Sequence, residues 1–150
     1  MIADTITQKI GEAMKARDEI RLSTLRLLSS ALNYEKIAKQ HDLSEEEELA
    51  VVRREAKKRK DAIEVYKSLS LSPSISERIK TEEKELAVLQ EYLPPEMGDD
   101  ELEKIIQESI NQMKPQGMQD MGKVIGAVMA KAKGLADGTK VSEIVKSKLK

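Results

Sequence analysis

The side chains that most often perform chemistry are scarce in this sequence of 150 residues. It contains no cysteine, which excludes disulfides, thiolate nucleophiles and cysteine metal sites. The single histidine, His41, stands beside Asp42 in a polar stretch, whereas a Ser-His-Asp triad needs a buried, oriented imidazole. Hydrolytic or redox catalysis would depend on Asp, Glu and Lys alone, and no pair of these is placed for it. We therefore expect no catalytic residues, no metal site and no cofactor.

Four consecutive glutamates at residues 45–48 are the densest group of carboxylates. Adjacent positions on a helix point in different directions, so the four side chains cannot converge on one metal ion. Ser44 followed by Glu47 matches the capping box that opens a helix, and first-turn carboxylates interact favourably with the helix dipole. We interpret these glutamates as a helix start, and the basic run at 53–60 that follows as a solvated helix face.

Lysines are concentrated towards the C-terminus, although the net charge is only −1. Residues 94–112 contain six acids and one base, whereas residues 113–150 contain eight lysines and three acids. A basic surface of this kind attracts phosphate groups, and lysine–phosphate contacts give affinity without base specificity. We predict the following nucleic-acid contacts in this region: Lys123, Lys131, Lys133, Gly134 and Lys140.

Gly122 and Gly126 are four residues apart and fall on one face of a predicted helix. Each costs about 0.5–1 kcal/mol relative to alanine in a helix interior, so some gain should offset them. One interpretation is close packing of another helix against this face. The other is close approach of an RNA backbone or a partner protein. A phosphate loop is excluded because no strand precedes the glycines and the Walker spacing is missing.

Residues 133–138 join two predicted helices and leave two interpretations open. The segment is either a helix stop followed by an N-cap at Asp137, or a place where exposed amides at the next helix start meet a phosphate.

The elements that would position these residues are all helical. Apolar residues recur at three- and four-residue spacing, and no alternating strand pattern occurs. A Ser-rich stretch at 68–74 and the Pro94-Pro95 pair interrupt the pattern. We predict an all-α protein with an N-terminal bundle of about four helices in residues 1–93 and a three-helix C-terminal domain in residues 94–150.

Three details of the helices are specific enough to test. Asp18 is predicted to cap the second helix, Ser74 or Ser76 the fourth, and Asp99 or Asp100 the fifth. The second helix is predicted to be central because it carries two apolar rows. These rows are Leu22, Leu25 and Leu32, and Ile20, Leu27, Ala31 and Tyr34.

The N-terminus lacks the basic and apolar regions of a signal peptide, and no apolar stretch approaches the roughly 20 residues of a membrane span. We expect a cytoplasmic protein without a membrane partner.

Several stretches together resemble the YqeY-like family, and the resemblance extends over the whole chain. They are Glu91-Tyr92-Leu93-Pro94, Asp120-Met121-Gly122-Lys123-Val124-Ile125-Gly126-Ala127-Val128-Met129, Lys133-Gly134-Leu135-Ala136-Asp137-Gly138 and Leu25-Arg26-Leu27-Leu28. The family is similar to the C-terminal tail of GatB, a subunit of the glutamine-dependent tRNA amidotransferase. In that enzyme the tail contributes to tRNA recognition, while catalysis uses other domains.

The resemblance implies an all-helical fold with a GatB-tail-like domain at residues 94–150. We hypothesise a non-catalytic protein that binds tRNA or another structured RNA through this domain. The alternative is a protein–protein adaptor or accessory factor of the amidotransferase or of a synthetase, with the helix around residues 121–129 as its adhesive element. The resemblance could also attract the label of a carbon–nitrogen ligase with glutamine as amido donor, for which no catalytic residues are visible.

Overall fold

The computed structural model describes residues 1–133 and 135–149, and helices are the regular elements found there. The all-α prediction is confirmed. The elements are α1 (Ile2–Ala16), α2 (Glu19–Lys39), α3 (Glu45–Ser68), α4 (Pro73–Gln90), α5 (Asp99–Met113), a short 3₁₀ turn (Met118–Asp120), α6 (Met121–Ala132) and α7 (Gly138–Leu149). None of the helices in these ranges is both long and apolar enough to cross a bilayer.

Contacts between residues divide the chain into two compact units, Met1–Leu93 and Pro94–Lys150. The first unit contains α1–α4 around an aliphatic core, in which α2 contributes Leu25, Leu28 and Leu32 and α3 contributes Val51 and Val52. These positions recur every three or four residues, so each helix turns one apolar stripe towards the others.

Local capping follows the sequence closely at two helix starts. The Asp18 carboxylate accepts a hydrogen bond from the Arg21 amide at 3.0 Å, which confirms Asp18 as the cap of α2. The capping box is also confirmed, because Ser44 and Glu47 exchange hydrogen bonds of 3.2 and 2.9 Å. The bond from the Ser44 amide, followed by the nearby Lys39 ammonium, lowers the pKa of Glu47 to about 2.

The predicted caps of α4 and α5 are wrong. Ser72 caps α4, because Pro73 takes the first helical position, where its missing N–H has no cost. Gly98 precedes α5 without a side-chain cap, and Asp99 is already part of the helix. In both cases the helix begins one or two residues before the expected position.

Glu48 is buried and caps a different helix from its own. Its carboxylate accepts hydrogen bonds from the amides of Ile2 at 2.8 Å and Ala3 at 3.0 Å, at the start of α1. These amides have no partners within α1 because they belong to its first turn. Glu48 therefore joins α3 to α1, a contact that was not predicted from the sequence.

The segment that ends the first unit is held by two polar contacts. The Arg21 guanidinium donates two hydrogen bonds, of 3.1 and 2.6 Å, to the Glu91 carboxylate. This pairing lowers the pKa of Glu91. The Lys9 ammonium lies 4.4 Å from the centre of the Tyr92 ring, within the range of a cation–π interaction. Residues 91–92 are thus attached to both α1 and α2.

The basic run on α3 is only partly a solvated face. Lys57 and Lys58 make exposed ion pairs with Asp61 and Glu55 on the same helix. Arg59, in contrast, is largely buried and lies 2.7 Å from the Glu85 carboxylate on α4. One base of the run therefore packs between helices.

The two predicted apolar rows of α2 have different outcomes. The row containing Leu25 and Leu32 faces the core, whereas Leu27 is 53% and Tyr34 is 77% exposed. The prediction that both rows are covered is wrong, because α1, α3 and α4 cover only one side of α2 in the first unit.

The second unit packs α5, α6 and α7 around its own core. The fully buried residues come two from each helix: Leu102, Ile106, Val124, Val128, Val141 and Val145. The Asp137 carboxylate accepts a hydrogen bond from the Thr139 amide at 2.9 Å, as expected of a residue capping α7. The Met97 amide donates to the carbonyl of Leu135 at 2.7 Å, which fixes the segment before α5.

Candidate nucleic-acid interface

Gly122 and Gly126 lie on the solvent-exposed side of α6. A Cβ atom built at either position would meet nothing within 4 Å among the described residues. The interpretation that another helix packs closely against these glycines is therefore wrong for the structure described. Their stability cost is not offset by packing within the chain.

The orientation of α6 follows from its apolar residues. Val124, Val128 and Ala132 recur every four residues, and all are fully buried. Met121, Ile125 and Met129 flank this row and pack partly buried against the same core. At about 100° per residue, the glycines fall on the opposite side of the helix. The methionines are thus core residues rather than the adhesive surface that an adaptor would need.

Lys123 and Lys133 border the exposed glycine side of α6. Both side chains are exposed, and within residues 1–133 and 135–149 neither makes a hydrogen bond or ion pair. Lys133 ends the helix in a left-handed conformation, with φ of 51°. We call Gly122, Lys123, Gly126, Ala130 and Lys133 the α6 face. It is a narrow strip of small residues with an unpaired cation near each end.

The other two predicted lysines make contacts with opposite ends of α5. Lys131 donates to the side-chain carbonyl of Gln112 at 3.0 Å, near the end of that helix. Lys140 forms an ion pair with Asp99 at the start of α5, and this hydrogen bond raises the pKa of Lys140. Asp99 and Gln112 are separated by about 20 Å along the helix axis. The four lysines are thus not one compact patch, and Gly134 lies outside the described residues.

The chemistry available to the α6 face is binding. The absence of side chains beyond Cβ at two positions lets an extended ligand approach the helix backbone closely. The lysines would provide non-specific attraction to phosphate oxygens. Among the described amides at the start of α7, that of Thr139 is occupied by Asp137, which weakens the case for a phosphate at that helix start. No cluster of three metal-binding side chains occurs in the part of the chain described.

Replacing Gly126 with alanine is expected to stabilise the second unit by about 0.5–1 kcal/mol. The added methyl group meets open space and removes backbone freedom from the unfolded chain. Thermal denaturation followed by circular dichroism would measure the change. Gly11→Ala in α1 is the matched control, since that glycine also has nothing within 4 Å. A loss of stability in Gly126→Ala alone would show that the position is crowded.

Comparison with known proteins decides the family. The model described as "Yqey-like protein" matches residues 3–149. This chain belongs to the YqeY-like family. The predicted relation to an amidotransferase subunit is also confirmed. The YqeY-like chain is 38% identical over 96 residues to a glutamyl-tRNA(Gln) amidotransferase subunit of Thermococcus gammatolerans.

The subunit of the same name from Thermococcus sibiricus is 38% identical over 93 residues. These matches cover 63% and 60% of the YqeY-like chain. They span only 15% and 14% of the two relatives, so most of each relative has no counterpart here.

Proposed function

We propose that this YqeY-like protein is a non-catalytic RNA-binding protein that engages tRNA or another structured RNA. Residues 94–150 would act as a GatB-tail-like domain of three helices, and the first unit as a separate helical bundle. The exposed α6 face carries the proposal, because its two glycines reduce helix stability without any packing partner in the described chain. A ligand that approaches the helix closely would offset this cost.

Charge and residue type favour a nucleic-acid backbone as that ligand. Lys123 and Lys133 have no partner in the described residues, so binding would not require breaking an existing ion pair. The only aromatic residues, Tyr34, Tyr66 and Tyr92, belong to the first unit. The second unit therefore has no platform for stacking single-stranded bases, which favours recognition of shape and phosphates. The relatives carry glutamyl-tRNA(Gln) in their name, which supports tRNA as the first RNA to test.

The test is fluorescence anisotropy of labelled tRNA with the full chain over a range of salt concentrations. We expect Lys123→Gln with Lys133→Gln to weaken binding and to reduce the log–log salt slope by about two, since each phosphate contact contributes about 0.9. Lys15→Gln, an exposed lysine of α1, is the control and should leave the slope unchanged. Absence of salt-dependent binding by the unmodified chain at micromolar concentration would refute the proposal.

A substitution on the glycine side separates contact at the α6 face from general charge attraction. Gly126→Leu fills the open strip with a side chain but leaves every charge in place. We expect tRNA affinity to fall at least about tenfold, because a displacement of a few ångströms removes close backbone contacts. If affinity in Gly126→Leu is unchanged while the lysine variants are impaired, RNA binds near the lysines but not on the α6 face.

The second candidate function is an adaptor or accessory factor of a tRNA amidotransferase or a synthetase. The similarity to amidotransferase subunits favours it. Size-exclusion chromatography of the purified chain with the amidotransferase, with and without tRNA, distinguishes the two. An RNA-independent complex supports the adaptor, and a complex that needs tRNA supports RNA binding. Both roles would operate in the cytoplasm, and a glutaminase or amide-transfer assay of the chain alone should show no activity.

A further inference from the structure

The outward side of α2 is an unusually apolar surface. Leu27, Ala31 and Tyr34, at i, i+4 and i+7, form one stripe over about 10 Å of the helix, which we call the α2 stripe. Leu27 and Tyr34 are more than half exposed, and Ile37 beside the stripe is 74% exposed. Single exposed apolar residues are common, but contiguous ones typically mark a binding surface.

The α2 stripe forms one wall of a groove whose other wall is α3. The groove has a volume of about 400 Å³ and is lined by Leu27, Ala31, Tyr34, Arg54, Glu55, Lys58 and Arg59. It lies wholly within the first unit, away from the α6 face in the sequence. Its shape and residue types match the grooves that accept one face of an amphipathic helix.

The charges along the rim of the groove are arranged with the bases outward. Arg54 is 53% exposed and pairs with Glu35, which is 22% exposed. Lys58 is 60% exposed and pairs with Glu55, which is only 12% exposed. The acidic partners therefore lie beneath the basic ones. A molecule that enters the groove meets Arg54 and Lys58 first.

We propose that this groove binds an amphipathic helix of a partner protein. Its apolar residues, spaced i, i+4 and i+7, would pack on the α2 stripe, and flanking acidic residues would meet Arg54 and Lys58. A second copy of this chain fits less well, because a two-fold contact would bring the same basic rims together. RNA fits less well because exposed Leu27 and Ile37 gain nothing from phosphates. The inference deepens the adaptor candidate and is independent of tRNA binding.

The test uses the full chain and synthetic helical peptides of about 16 residues, a length of about 24 Å. One peptide carries leucines at the stated spacing with flanking glutamates. The second replaces the glutamates with lysines, and the third has the first composition in scrambled order. Binding is measured by isothermal titration calorimetry at low and high salt.

We expect the acidic amphipathic peptide to bind more tightly than the other two, with an affinity that falls as salt rises. Leu27→Ala and Tyr34→Ala should each reduce its affinity about tenfold or more. Arg54→Gln with Lys58→Gln should remove most of the salt dependence. Leu71→Ala, which changes a leucine that is 78% exposed elsewhere in the first unit, is the matched control and should bind normally.

Three results would overturn the proposal. The first is equal binding of the acidic and scrambled peptides, or no binding of either. The second is a dimer in sedimentation analysis that Tyr34→Ala dissociates, which would assign the groove to a second copy. The third is loss of tRNA binding in Tyr34→Ala, which would assign it to RNA. Circular dichroism of each variant checks that the surface substitutions leave the fold intact.

Discussion

Replacing Glu48 with alanine is expected to destabilise the first unit by about 2–3 kcal/mol. The substitution leaves the amides of Ile2 and Ala3 without their acceptor, and hydrogen bonds to a charged group contribute about 1.5–3 kcal/mol. It also removes a buried side chain from the contact between α1 and α3. Because Glu48 is the only described link between its own helix and the start of α1 by hydrogen bonding, we expect α1 to loosen first.

Urea denaturation measures the loss, and hydrogen–deuterium exchange shows whether α1 loses protection before the other helices. Glu46→Ala is the matched control: it removes an exposed carboxylate from the same run and should change stability by less than about 0.5 kcal/mol. Glu48→Gln retains an acceptor oxygen without the charge and should fall between the two. Equal stability of Glu48→Ala and Glu46→Ala would show that the α1 amides are satisfied by solvent.

The second large effect concerns the two separate cores. Ile106→Ala is expected to cost about 2–5 kcal/mol, because it leaves a cavity at a fully buried position of the second unit. If residues 94–150 are an independent domain, hydrogen–deuterium exchange should accelerate in that unit and remain unchanged in the first. Leu28→Ala, at a buried position of the first unit, should have the reciprocal effect.

The pair of variants tests the domain proposal because each substitution is made at a core position of similar burial. Calorimetric scans should show that each lowers a different transition. A single transition that both variants lower equally would contradict independent folding of the two units.

The helices and two of their caps could be predicted from the sequence because both depend on nearby residues. Asp18 and Ser44 cap helices through amides three positions away, which any short window of sequence contains. Glu48 could not be assigned its role in the same way, since the amides that it binds are 45 and 46 residues distant. Its neighbours in sequence suggested only another favourable charge in a first turn.

The candidate site was less predictable for a related reason. Periodicity shows which residues share a face of a helix, but not whether another helix covers that face. Leu27 and Tyr34 share an apolar row that remains exposed, and Gly122 and Gly126 share a face against which nothing packs in the described chain. Charge counts also omit pairing: Lys131 and Lys140 add to the basic composition, but their contacts are with α5. Lys123 and Lys133, which have no partner among the described residues, could be distinguished from them only in the structure.

The attachment of residues 91–92 to α1 and α2 has a consequence for recognising related proteins. Glu91 and Tyr92 belong to a stretch by which the family is identified, yet here they hold Arg21 and Lys9 rather than present themselves to a ligand. This stretch is therefore a signature of the scaffold. A relative could retain it and have lost every contact to RNA or partner, so its occurrence in a sequence is a guide to architecture, and activity must be judged from the α6 face.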